Sequence, residues 1–232
     1  MMDIIDAGFR YFYKEAGFGP IVDSTGVPDA VLTRYSGHLP HRLLEYWQLY
    51  GWAGFADGLF RLVNPEEYNK LVSLWLAGSP FEHRDRYHVI ARSAFGELFL
   101  WGERTADSLT IQTLYGQLFP SDRSKDIDHD SPQQFDTLIQ EFMATLYRPH
   151  LDVLDDDNEP LFQRLHDHLG PLNVDEIYGR KPAYMLDHRC KLEHFQRVHA
   201  IGHMTLLAGI SERYVMQDLN EVLQQARLKS LM

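Results

Sequence analysis

The sequence predicts an α+β protein: an antiparallel β-meander sheet packed with helices over residues 1–150, and a mainly helical part over residues 151–232. Three observations carry this. Strand-like runs crowd into one stretch, residues 59–63, 87–92, 97–101, 108–114 and 115–119, and turns at Gly96, Gly102 and Gly116 separate the last four. Helical patterns flank that stretch instead of alternating with its strands, which argues against a doubly wound parallel sheet. Beyond Pro149 the strand-like runs stop and apolar residues recur at helical spacing.

Taken in order, Ile4, Ile5, Phe9, Phe12 and Ala16 share one face of a helix over 3–16, which Gly17 stops. Pro28 opens a short helix to Tyr35. Pro40 opens another, with Leu43, Leu44, Trp47 and Tyr50 as its stripe and Gly51 as its end. After the strand at 59–63, Asn64-Pro65-Glu66-Glu67 reads as an N-cap, a proline in the first turn and acids that suit the helix dipole. That helix turns Leu71, Leu74 and Trp75 inward and stops near Gly78. The short turn Ala94-Phe95-Gly96 makes its flanking strands antiparallel neighbours. Ser131-Pro132 begins a helix that buries Phe135, Leu138, Ile139 and Phe142. Asp155-Asp156-Asp157-Asn158-Glu159-Pro160 reads as a solvated boundary. Three helical stripes follow: Leu161, Leu165 and Leu169; Leu192, Phe195, Val198 and Gly202, ending at Gly209; and Val215, Leu219, Val222 and Ala226.

The net charge of −11, from 22 basic and 33 acidic side chains, is shared by both parts of the chain. Neither part offers the basic field that draws proteins to phosphates, so no nucleic-acid partner is expected. An acidic surface either keeps the protein in solution or steers a basic partner toward it. Two acidic clusters stand out: Asp122, Asp126, Asp128 and Asp130, diluted by Arg123 and Lys125, and Asp152, Asp155, Asp156, Asp157 and Glu159, with no base between them. Met1-Met2-Asp3-Ile4-Ile5-Asp6 has acids where an export signal needs bases, and no apolar run approaches a bilayer span. The expectation is a cytoplasmic protein with no membrane contact. The single cysteine, Cys190, fits that compartment.

Enzyme chemistry finds little support. His199 and His203 have the i, i+4 spacing of paired metal ligands but lack the glutamate of a zinc hydrolase beside the first. His166-Asp167-His168 and His188-Arg189-Cys190 have no partner pair at zinc-site spacing. Cys190 with His188 lacks an orienting third group and reads as a small packed residue. Glu66-Glu67 and Asp175-Glu176 fall where helix N-termini are expected, so dipole complementation accounts for them. Ala94-Phe95-Gly96 and Gly51-Trp52-Ala53-Gly54 lack the lysine and helix of a phosphate loop. The reading is therefore no catalytic set, no metal and no cofactor. Two rivals stand beside it: a metal-dependent hydrolase using His194, His199 and His203, and a regulatory or scaffold domain with an endogenous ligand.

Several segments together resemble a known family. Phe18-Gly19-Pro20-Ile21-Val22-Asp23, Leu43-Leu44-Glu45-Tyr46-Trp47, Gly54-Phe55-Ala56-Asp57-Gly58-Leu59-Phe60, Val63-Asn64-Pro65-Glu66-Glu67-Tyr68 and Tyr87-His88-Val89-Ile90-Ala91-Arg92-Ser93-Ala94-Phe95-Gly96-Glu97-Leu98 resemble the GAD-like domain. Leu169-Gly170-Pro171-Leu172, Asp175-Glu176-Ile177-Tyr178-Gly179 and Pro182-Ala183 are similar to the C-terminal domain that accompanies it in type VI secretion DNase-immunity proteins. The resemblance implies a non-catalytic immunity protein whose partner is a cognate nuclease toxin. Tyr184-Met185-Leu186-Asp187-His188-Arg189-Cys190 departs from the family's glycine-containing turn, and the segment after Ser211 is additional; both reflect either partner specificity or drift. Interface anchors are expected at Trp52, Phe55 and Tyr184, with Asp155, Asp156 and Asp157 as steering charges.

Overall fold

A computed structural model describes residues 5–122, 124–128 and 131–218. The start of the first helix (residues 3 and 4), Arg123 and Asp130 of the first acidic cluster, and Leu219, Val222 and Ala226 of the last stripe lie outside the described residues.

Asp6 opens the first helix, α1 (Ala7–Arg10), by accepting the Phe9 amide at 2.8 Å, and the helix runs on as a π-helical turn over Tyr11–Glu15. Gly17, at φ +74°, ends it as expected. Strand β1 (Ile21–Thr25), α2 (Asp29–Tyr35), α3 (His41–Tyr50), β2 (Trp52–Phe55), β3 (Phe60–Leu62) and α4 (Pro65–Leu76) follow. Asn64 caps α4 through the Glu66 amide at 3.2 Å. Then come the strands β4 (Tyr87–Ser93), β5 (Glu97–Gly102), β6 (Ala106–Gln112) and β7 (Gln117–Pro120). The chain closes with α5 (Pro132–Thr145), α6 (Arg148–Leu151), α7 (Phe162–Leu169), β8 (Glu176–Arg180), β9 (Phe195–His199), α8 (Ala200–Ile210) and β10 (Tyr214–Val215).

The class is α+β. Strands β1 to β7 pair in chain order, each antiparallel to the next, and β10 adds in parallel along β7. The meander extends beyond its sequence prediction, because β1 and β2 carry little strand signal. Gly51 and Gly54 weaken the pattern, yet the backbone needs both. Gly51 sits at φ +71°, where an added Cβ would lie 2.3 Å from Ser24 Oγ. A Cβ on Gly54 would lie 2.8 Å from both Arg61 Nη2 and Asp23 Oδ1, so the bare glycine leaves room for that ion pair.

The two hydrophobic cores divide by sheet face, and both draw on the early and the late chain. One contains the aromatic cluster Phe9, Phe12, Phe18, Phe55 and Phe60, with α5 joined through Phe142 at 5.6 Å from Phe99. It continues into Phe162, Tyr178 and Phe195, where Phe95 in the β4–β5 turn meets Tyr178 at 6.2 Å and Phe195 at 5.8 Å. The other core packs α4 (Tyr68, Leu71, Val72, Trp75, Leu76) and α8 (Ala200, Met204, Leu207, Ala208) onto Val89, Leu98, Leu100, Leu109 and Ile111. Trp75 Nε1 donates to Met204 O at 3.2 Å, tying the two helices. With both faces covered, β4 is buried throughout. Glu97 at the start of β5 accepts from Gln112 Nε2 at 3.1 Å, and burial pushes its carboxyl up to about 7.

Three local expectations are corrected. Leu74 faces outward on α4, because Tyr68, Leu71, Val72 and Trp75 complete the inner face without it. Asp175-Glu176 leads into a strand, not a helix, and Glu176 pairs with Arg197 at 2.6 Å across the β8–β9 ladder. The stripe from Leu192 to Gly202 splits: Leu192 falls in a 3-10 turn (Leu192–His194), Phe195 and Val198 belong to β9, whose ladder partner lies some twenty residues earlier, and the α-helix begins only at Ala200. The late part is therefore helical around one β-hairpin.

Candidate partner-binding surface

Arg180, at the end of β8, is fully buried and organises the segment that departs from the family pattern. Its guanidinium donates to Pro182 O at 2.6 Å and to Arg189 O, so both ends of the 181–190 loop are gathered on one side chain. The same guanidinium lies 5.6 Å from the Tyr184 ring centroid. Tyr184 meets Tyr115 edge-on at 4.8 Å and His188 at 5.1 Å. The loop thus holds its aromatic in a fixed orientation, the pre-ordering that lets one side chain anchor a partner at low entropic cost.

This loop forms one wall of a groove of about 870 Å³, completed by Gln112, Tyr115 and Gln117 around the β6–β7 turn and by Ile210, Glu212 and Tyr214 of the edge strand β10 and the segment before it. Leu186 is 72% exposed and Tyr214 55%. Ile210 belongs to a helix that is apolar on every side: Gly202, Thr205, Leu206, Gly209 and Ile210 face solvent without a charge among them. A solvent face of that kind is unusual for a water-exposed helix and typical of a surface that another protein covers.

The acidic loop sits behind the same segment. Asp156 donates its amide to Cys190 O at 2.8 Å, and its carboxylate accepts the Cys190 amide at 2.7 Å. Asp155 is spent internally: it accepts the amides of Asp157 and Glu159 at 2.9 and 3.0 Å and pairs with Arg164 at 2.5 Å, which holds its carboxyl below the usual range. Asp156, Asp157 and Glu159 stay exposed. The structure therefore ties Asp156 to the end of the Tyr184 loop at Cys190 and makes Asp155 the brace of its own turn. Trp52 lies apart, half-buried in a second cleft. Phe55 is corrected: it is 0% exposed, and Phe12 packs edge-on against it at 5.0 Å. The strand period explains this, since Ala53 and Phe55 turn to the core while Trp52 and Gly54 turn away.

Leu186, Ile210 and Tyr214 were not anticipated as surface anchors. The signal available was the uncharged run from Met204 to Ile210, too apolar for a helix with one face in water.

The histidines spread out. His199 Nδ1 accepts the Gly202 amide at 3.1 Å as the cap of α8, and His194 Nδ1 lies 3.0 Å from Arg189 O. Burial lowers the basicity of His203, which packs over Gly179. Among the described residues no three His, Cys, Asp or Glu side chains form a group that could hold a metal ion. Cys190 is buried with its thiol pushed up by desolvation, the opposite of an activated nucleophile. Among the described residues no helix is long and apolar enough to cross a membrane.

A held aromatic and an uncharged helix end thus line one groove, and the acidic loop is bonded to the segment that forms its wall. In comparison with known proteins, residues 9–115 match the GAD-like domain and residues 136–211 match the T6SS immunity protein Tdi1, C-terminal. The crystal structure of Atu4351 from Agrobacterium tumefaciens has the same fold, with a TM-score of 0.75 and 24% identity over 85% of this chain and 88% of that one. No curated protein matches the chain.

Proposed function

We propose that this protein binds and neutralises a cognate type VI-secreted nuclease toxin in the cytoplasm, acting by occupancy and turning nothing over. The observation that carries the reading is the match of residues 136–211 to an immunity domain. The acidic character supports it further. A nuclease must tolerate phosphate, so its working face is basic, and a chain of net charge −11 is drawn to it. Nucleic acid, repelled by the same field, is not a partner, and neither membrane, metal nor cofactor is needed.

In this reading Tyr184, Leu186, Ile210 and Tyr214 supply the apolar anchors. Asp156 and Asp157 steer association, and Asp155 keeps their loop in shape. Protection must outlast toxin synthesis, which calls for slow dissociation and an interface of about 1,600 Å² or more. Residues 1–150 and 151–232 are proposed as two units that fold against each other. The test is co-expression with the product of the adjacent gene. The expected result is survival of the host and co-purification of the two proteins; a neighbour that is toxic yet neither captured nor neutralised contradicts the reading.

A further inference from the structure

A second cleft, of about 440 Å³, opens where the early and late parts of the chain meet. Trp52, Arg61, Asn64, Glu67 and Tyr68 line it from one side, and Val174, Asp175 and His199 from the other. Its polar groups are arranged unevenly. Arg61 is forked onto Asp23, at 2.6 and 2.8 Å, and is thereby neutralised. Arg92 lies fully buried nearby and donates to Val174 O at 2.8 Å; it makes no ion pair within 4 Å among the described residues. His199 is occupied at Nδ1 by the Gly202 amide. Glu67 and Asp175 are exposed and have no ion-pair partner among the described residues; Glu67 receives only a long contact from Asn64 at 3.4 Å. The indole N–H of Trp52 is buried without an acceptor.

Two carboxylates beside an aromatic face select a cation. Lysine would offer a point charge, whereas a guanidinium lies flat on an indole and presents donors to more than one carboxylate. We infer that this cleft receives an arginine side chain of the toxin, its guanidinium against Trp52, Glu67 and Asp175. The inference rests on the proposed toxin partnership and adds a point of contact to it, one that requires both parts of the chain to be docked together.

Two arms test it. In the first, blocked arginine amide is titrated into the ¹⁵N-labelled full chain to about 50 mM, a range that reveals fragment-strength binding. Blocked citrulline amide, uncharged and of the same shape, is the control at matched ionic strength. The expected result is movement of one of the four tryptophan indole resonances, the one missing in Trp52→Phe. Citrulline should leave it in place, and Glu67→Gln with Asp175→Asn should abolish the movement. No shift with arginine, or an equal shift with citrulline, overturns the inference without touching the toxin reading. In the second arm, the same double variant is expected to bind the adjacent gene product at least about tenfold more weakly than wild type. Equal affinity, within twofold, overturns the cleft assignment while the partnership stands. Failure of the wild-type chain to bind overturns both.

Discussion

The groove beside Tyr184 and the cleft beside Trp52 differ in origin and in charge. The groove is made from a loop, a helix end and a sheet edge; it mixes aromatic and aliphatic side chains with Gln112, Gln117 and His188, Glu212 is the carboxylate in its lining, and Asp187 pairs with Arg189 at 2.9 Å within the loop. The cleft is made from strands and helix starts of both halves, and its charges stand inside it. Apolar anchors on a held loop govern how long a partner stays, whereas charges govern how fast it arrives and which partner is accepted. In the proposed reading a durable and selective binder needs both kinds of surface, and here they are kept apart.

Substitutions can break that contrast in order of effect. Phe55→Ala, in neither surface, should cost about 3–5 kcal/mol of stability through the cavity it leaves among Phe9, Phe12 and Phe60. Urea melts should read this loss, while the folded fraction binds its partner with wild-type affinity. Changed affinity in the folded fraction would return Phe55 to the interface. Tyr184→Ala with Leu186→Asp should lower the melt, because Tyr184 packs on Tyr115, His188 and Arg180, and should weaken partner binding by the folded fraction about 100-fold, mostly through faster dissociation in a biosensor trace. Asp157→Lys with Glu159→Lys, at exposed carboxylates outside the Cys190 contact, should slow association roughly three- to tenfold and flatten its salt dependence, with dissociation unchanged. An on-rate that ignores the reversal removes the steering role.

A further prediction concerns pH. Glu97 has its carboxyl raised to about 7 from an ordinary 4.5, so between those values the folded chain holds a proton that the unfolded chain has lost. Stability therefore falls as pH rises through that window, by at most about 1.4 kcal/mol per pH unit from this group. Glu97→Gln should remove that slope and stabilise the protein at pH 8. Melts of both proteins at pH 5 and pH 8 check it, and parallel slopes would contradict it.

How much of this was readable in the chain depends on whether local pattern and distant partner agree. The meander from Phe60 to Phe119 was legible because strand alternation, the Gly96 turn and the Asn64 cap all act within a few residues. The β8–β9 hairpin was not: Phe195 and Val198 have helical spacing, and only Ile177, Val198's ladder partner, decides otherwise. The same holds for the surfaces. Tyr184 and the acidic loop were legible as a departure from a family pattern and as an unbroken run of acids, but their union through Asp156 and Cys190 is a contact across 34 residues. Phe55 misled because Gly54 obscures the alternation that sends Trp52 outward and Phe55 inward. The cleft was illegible, since its walls meet only after both halves fold.

The most direct test of the central claim is hydrogen exchange on the chain alone and in complex with the adjacent gene's product. The account predicts slowed exchange over residues 183–190 and 206–216, with little change at α1 and α3. Protection confined to other surfaces, or no complex at all, would contradict it.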